Sequence, residues 1–223
     1  MKSGTGKKSG RQSAGLSLAE SAYEAIKHKI IVMEFQPGEY LNENRVSEAL
    51  GIGRTPVHQA LTRLMLEGMV EVIPRKGVIV KNVSLNEIME IIDARLINET
   101  HAARLAATFA DESDIATIGR ILDEADKPSP HADLVRQMLL DKEFHYALSK
   151  AAKNTILAEI LARLHERSLR FWFISLKDPV HHKEVHDEHR KVFDAIKERD
   201  AEKAAQAVRE HIESFRNTIT RHV

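Results

Sequence analysis

The sequence predicts a mostly α chain: a compact N-terminal unit of three helices with a two-stranded β wing, followed by an all-α bundle of about six helices. Three observations carry this. Apolar residues recur at three- and four-residue spacing along most of the 223 residues. Period-two alternation is confined to one stretch, Val70, Val72 and then Val78, Val80, around a turn at Pro74–Gly77. Beyond it the helical pattern is cut by short breaks at Ala110-Asp111, Lys127-Pro128-Ser129-Pro130, Lys153-Asn154, Lys177-Asp178-Pro179 and Arg199-Asp200. The chain is long for one small domain and right for two. The expected organisation is a disordered basic leader over 1–16, the three-helix unit over 17–82 and a helical body over 83–223.

The first helix is expected between Ser17 and Phe35. Leu18, Ala22, Ala25, Ile26, Ile30 and Met33 share a face, and Ser17 with Glu20 three residues on has capping-box spacing. Pro37-Gly38 stops it. The second helix carries a short apolar stripe of Val46, Ala49 and Leu50, and Gly51 suits its left-handed terminus. Pro56 fits the first turn of the third helix, where a missing N–H is no loss. There Val57, Leu61, Leu64 and Met65 face the core. Arg54, Thr55, His58, Gln59 and Arg63 are left on the other side, with Arg45 on the helix before and Lys76 at the tip of the wing. Such a face suits a DNA major groove, because Arg forks to guanine and Gln pairs with adenine while Thr and Lys serve phosphates. A tight turn between two helices together with a basic wing sets this stretch apart from an ordinary solvated helix face.

The body helices are expected over 85–109, 112–126, 131–152, 155–177, 182–198 and 201–221, the first of them capped by Ser84 with Glu87. Lys plus Arg and Asp plus Glu balance at 33 each, but unevenly along the chain. Residues 1–82 hold 12 basic and 8 acidic side chains, and residues 83–223 the remaining 21 and 25. A basic head on an acidic body explains the neutral sum. The absence of Cys fits a reducing, cytoplasmic setting. No apolar run approaches a membrane span, and the basic leader has no apolar segment behind it, so no secretory signal is expected.

Ten of the twelve histidines follow residue 83. His165, His181, His182 and His222 read as surface residues, and the same reading is open for His186. Four other residues form a set. Asp141 and His145 are four apart on one helix and point the same way. His189 and His211 each lie eleven residues from Asp200, the expected turn of a helical hairpin, and so come level at about 16 Å from it. Three imidazoles and a carboxylate suit Zn²⁺, Ni²⁺ or a similar borderline divalent cation. The spacing leaves three roles open: a ligand-sensing ion, a purely structural ion, or a metal-dependent enzyme. Against the last, there is no His-Glu-x-x-His, no Glu-x-x-His, no Gly-rich phosphate loop and no nucleophile elbow.

The run G-I-G-R-T-P-V-H-Q-A-L over 51–61, followed by E-G-M-V-E-V-I-P-R-K-G-V-I-V over 67–80, closely resembles the winged helix-turn-helix of the GntR family of bacterial transcription regulators. His58 and Gln59 depart from it, standing where the family usually has Arg and Glu. The D-x-x-x-H, E-H and distal H-I patterns in an all-helical C-terminal part resemble the FCD effector domain of the FadR-type branch. In metal-binding members those motifs supply the ligands, and Asp141, His145, His189 and His211 match them. The branch also has Arg-x-x-x-Glu on its first long body helix, here Arg95 and Glu99. The resemblance implies that Arg95 meets an effector carboxylate. The alternative is an ion pair of Arg95 with Glu99. Arg167, Arg170 and Trp172 are further candidates for pocket walls or dimer contacts. The implied protein is a homodimeric regulator with repression the expected sign, a pseudo-palindromic operator, a divalent metal and a small organic acid as effector.

Overall fold

The structure, a computed structural model, describes residues 16–82, 84–127, 133–175 and 179–222, apart from the side chains of 174, 175, 179–183 and 222. The leader expected over 1–16 therefore lies outside the described residues except for Leu16. The Pro128-Ser129-Pro130 and Lys177-Asp178 breaks also lie outside them, as do the side chains of His181, His182 and His222.

The head is built as its caps and turns require. Helix α1 (Leu18–Ile31) starts where Ser17 Oγ accepts the Glu20 N–H. It stops short of the expected Phe35, because Val32 leaves the helical conformation and Met33 is left-handed at φ 63°. Strand β1 (Tyr40–Leu41) follows, then α2 (Glu43–Leu50), capped by the Asn42 side chain and closed by Gly51 at φ 63°. Helix α3 spans Arg54–Leu66. Strands β2 (Val70–Ile73) and β3 (Gly77–Val80) form the wing, with register Val70↔Val80 and Val72↔Val78. The expected two-stranded hairpin gains a third strand. β1 adds to β3 through Tyr40↔Ile79 and Leu41↔Val78, giving the order β1-β3-β2. Two residues are too few to show a period, so the sequence carried no signal for β1.

The body comprises α4 (Leu85–Phe109), α5 (Glu112–Ala125), α6 (Leu134–Ala151), α7 (Thr155–Ser175), α8 (Pro179–Lys197) and α9 (Ala201–His222). Each start has a local cause. Ser84 accepts the Glu87 N–H, Asp111 and Asp114 form a reciprocal capping box, and Asp200 accepts the Lys203 N–H. α8 begins at Pro179, three residues before the expected start, in keeping with Pro at a first helical position.

One apolar core runs from Ile26, Leu64 and Val80 of the head into Ile88, Phe144 and Phe215 of the body. Leu18 and Met65, expected on core faces, are 63% and 39% exposed. Within the body α9 packs on α4 and folds back on α8. Gly119 lets α5 close on α8, since a Cβ there would stand 3.2 Å from Phe193 Cζ. Among the described residues no helix is long and apolar enough to cross a membrane.

Candidate functional site

The interior of the body gathers four side chains from three helices. Asp141 and His145 share the inward face of α6, one turn apart. His189 comes from α8 and His211 from α9, across the hairpin that turns at Arg199-Asp200, where Arg199 is left-handed at φ 62°. The Nε2 atoms of His189 and His211 are 3.4 Å apart, and those of His211 and His145 are 3.3 Å apart. Asp141 Oδ1 lies 3.4 Å from His189 Nε2 and 3.6 Å from His145 Nε2. All four donor atoms fall within 4.8 Å of one another.

This donor set fits a divalent cation. Metal–nitrogen bonds of ~2.0–2.1 Å in tetrahedral array would bring neighbouring ligand atoms about 3.3–3.4 Å apart. Asp141 Oδ1 is buried without a hydrogen-bond partner, and a bound cation would satisfy it. A second layer orients these side chains. Glu188 Oε2 stands 2.9 Å from His211 Nδ1, leaving Nε2 to face the cluster. His189 stacks on Phe144, with ring centres 4.0 Å apart.

Glu99 sits behind His145 and is 1% exposed. Its Oε2 lies 2.9 Å from His145 Nδ1. Its Oε1 accepts from Arg95 Nε at 2.6 Å and lies 3.2 Å from His165 Nε2. His165 is therefore not a surface residue, as its sequence neighbourhood indicated, but is buried in a second acidic–imidazole group with Glu99 and His145. Arg95 is 4% exposed, and its Nη1 donates to Ser168 Oγ at 3.4 Å. Its guanidinium thus already has an anionic partner.

Burial governs the protonation of this interior. It pushes the Asp141 carboxyl up to about 7, and the nearby His211 and Arg95 only partly offset it. It pushes His145 and His189 well below the usual imidazole value, reinforced by neighbouring imidazoles, and it lowers His165. Burial would raise Glu99 as well, but Arg95, His165 and His145 hold it well below the carboxylate range. Neutral imidazoles are the form that ligates metal.

The free space at the cluster is small. A cavity of about 30 Å³ is lined by Asp141, Phe144, Trp172, His186 and His189 among others. Trp172 lies edge-on to Phe215, and His186 pairs with Asp126 at 2.5 Å. Arg167 and Arg170 are not at the cluster. Arg167 pairs with Glu87, and Arg170 Nη1 donates to the Lys81 carbonyl at 2.9 Å.

On the head, Arg54, Thr55, His58 and Gln59 are exposed along the N-terminal part of α3, with Arg45 exposed on α2 and Lys76 exposed in the wing turn. His58 Nδ1 is 2.9 Å from Glu43 Oε1. Arg63 departs from this group. It reaches Glu20 at 2.9 Å and Glu67 at 3.2 Å, and its Cζ lies 3.5 Å from the Tyr23 ring centre, so it packs against α1. The sequence placed it with the reading face because helical spacing fixes where a Cβ points and not where a long side chain ends.

Residues 18–80 match the family of bacterial regulatory proteins named gntR, and residues 90–214 match the FCD domain. The chain is similar to the Nta operon transcriptional regulator of Aminobacter aminovorans, 29% identical over 185 residues that cover 83% of this chain and 86% of that one. It is also similar to the HTH-type transcriptional repressor GlaR of Escherichia coli (strain K12), 28% identical over 198 residues that cover 85% and 90%. The solved structure of E. coli McbR/YncC superposes with a TM-score of 0.81 over 93% of this chain and 99% of that one; at 22% identity it shares the fold.

Proposed function

Because the chain belongs to the gntR family of bacterial regulatory proteins in the branch with an FCD domain, and is thus a DNA-binding transcription regulator and not an enzyme, we propose that its body holds a divalent metal ion and senses a small organic acid. The head over 17–82 reads a pseudo-palindromic operator as part of a homodimer. The body over 83–223 binds the metal through Asp141, His145, His189 and His211. The observation that carries the reading is the convergence of three imidazole Nε2 atoms on a buried carboxylate oxygen that has no other partner. Zn²⁺ or Ni²⁺ suits that donor set, and the bound ion would supply an electrophilic centre for an effector oxygen.

Arg54, Thr55, His58 and Gln59 are the proposed reading residues, with Arg45 and Lys76 on phosphates. Arg95 is proposed to meet the effector carboxylate, which must then compete with Glu99 for the guanidinium. The sign proposed is that of the GlaR relative, repression: free protein holds the operator and effector releases it.

A purely structural ion is the second reading. It is favoured by the cavity of about 30 Å³ beside Asp141 and His189, about the volume of one water. Elemental analysis of purified protein, followed by a thermal-shift screen of small mono- and dicarboxylates with and without Zn²⁺ or Ni²⁺, tests both. Metal-dependent stabilisation by an acid supports sensing. Stabilisation by metal alone, with no acid response, supports the structural ion. Absence of metal and of any metal-induced shift overturns both.

A further inference from the structure

Helix α7 of the body packs against α1 of the head. Lys27 lies in the middle of α1, and its side chain is 4% exposed. A buried ammonium needs anionic or dipolar partners, because burial without them is strongly unfavourable. Lys27 has them from both sides of the junction. Within the head, Nζ donates to the Tyr23 hydroxyl at 2.6 Å and stands 3.5 Å from Glu67 Oε2. From the body, Glu166 Oε2 approaches it at 2.5 Å. The Tyr23 hydroxyl donates in turn to Glu67, whose two oxygens lie 2.9 and 2.8 Å away. Arg63 of α3 covers the Tyr23 ring and also binds Glu67. An unbroken chain of charged contacts thus links the reading helix to α7.

We infer that Lys27 is a positioning residue for DNA reading: through Glu166 it clamps α1 and the C-terminal end of α3 onto α7, and so sets where the reading helix stands relative to the body. Arg170, one turn further along α7, adds a second tie by donating to the Lys81 carbonyl at the end of the wing. The clamp adjoins the buried cluster on two helices. Glu166 follows His165, which reaches Glu99. Lys142 follows Asp141 on α6 and shares Glu166 at 3.2 Å. A rearrangement around Asp141 or Glu99 therefore displaces residues adjacent to the clamp. That input rests on the metal-site reading above; the clamp itself does not.

The chain has no cysteine, so two can be introduced for spin labels without removing any. Glu71→Cys on β2 and Glu112→Cys on α5 are both exposed. The distance distribution between labels is measured by pulsed EPR on metal-free protein, diluted with unlabelled chain. The parent should give a narrow distribution. Lys27→Met and Glu166→Gln should each broaden it, the double variant should broaden it no further, and Lys27→Arg should restore it. Lys142→Met removes a Glu166 partner that belongs to the body alone and should leave it narrow. A role confined to folding would lower the melting temperature of Lys27→Met without broadening the distribution, and that result overturns the inference. Should Lys27→Met fail to fold, the isosteric Glu166→Gln carries the same comparison. Elemental analysis of the parallel metal-loaded samples reports separately on the ion, so failure of the clamp and failure of the metal reading are distinguishable.

Discussion

The Nε2 atoms of His189 and His211 stand 3.4 Å apart although the residues are 22 apart in the chain. Two facing imidazole nitrogens share at most one proton, and here His145 and Asp141 face the same point. His189→Ala and His211→Ala are therefore expected to lose the ion, and Asp141→Ala to lose it in part, since water can replace the oxygen. Elemental analysis checks this. Metal content equal to the parent's in all three variants would place the ion elsewhere.

Glu188 is expected to act through His211. With its carboxylate 2.9 Å from His211 Nδ1, Glu188→Gln should weaken metal binding by about 10–100-fold without removing a ligand. A competition titration against a chelator measures it, and unchanged affinity would reduce Glu188 to a surface neighbour.

Arg95 and Glu99 form a buried pair 2.6 Å apart. Truncating Arg95 strands the carboxylate, so Arg95→Ala should destabilise the fold by roughly 3–5 kcal/mol. Arg95→Lys is the cleaner probe. It keeps a charge toward Glu99 but lacks the planar fork. The expected variant is folded, metal-loaded and poorly responsive to small carboxylates in calorimetry. Parental affinity for an acid that binds the parent would leave Arg95 with a structural role only.

The two arginines of α3 should separate by phenotype. Arg54, exposed at the start of the helix, is expected to contact bases, and Arg54→Ala should forfeit about 1–3 kcal/mol of operator discrimination with the melting temperature unchanged. Arg63, held by Glu20, Glu67 and the Tyr23 ring, should instead lower the melting temperature when replaced by Ala. Gel-shift and melting data on both variants decide it, and the reverse pattern would return Arg63 to the reading face.

Much of this architecture was legible beforehand, because its determinants are local. Ser17, Ser84, Gly51 and the breaks at Ala110-Asp111 and Arg199-Asp200 act on the backbone within one turn, and the helices begin and end near them. The levelling of His189 with His211 was legible because a short antiparallel hairpin converts sequence distance into height, and i, i+4 spacing put Asp141 beside His145; that α6 joins the two pairs was implied by the FCD resemblance. What escaped depends on contacts across elements. β1 exists only by pairing with β3. The burial of His165 follows from Glu99 on α4, and nothing in its own neighbourhood encodes it. Arg63 is turned by Tyr23 of α1, and Glu188 meets His211 only once α9 brings that ring beside it.

Glu166 gives the junction a pH dependence. Burial alone would raise its carboxyl, but hydrogen bonding and charge from Lys27 on α1 and Lys142 on α6 hold it below the usual value; Tyr23, also close, is raised by burial and by its bond to Glu67. A depressed folded-state value stabilises the fold above the unfolded value of about 4.3, and this contribution is lost as pH falls through the folded value. The stability gap between parent and Glu166→Gln should therefore be full near neutrality, about 1–3 kcal/mol, and shrink on acidification. Urea titrations across pH measure it, and a gap that widens toward acid would refute the assignment.

The symmetry of the α8–α9 hairpin about Asp200 also constrains how the gene can drift. Each residue inserted between the turn and His189, or between the turn and His211, lifts that imidazole by ~1.5 Å and swings it about 100° around its helix. A single-codon insertion or deletion there would scatter the ligand set while leaving every ligand in the sequence. The eleven-residue arms are thus as much a part of the site as the histidines they carry. A relative with a different arm length is therefore expected not to hold the proposed ion, even where all four residues persist, and elemental analysis of such a relative checks it.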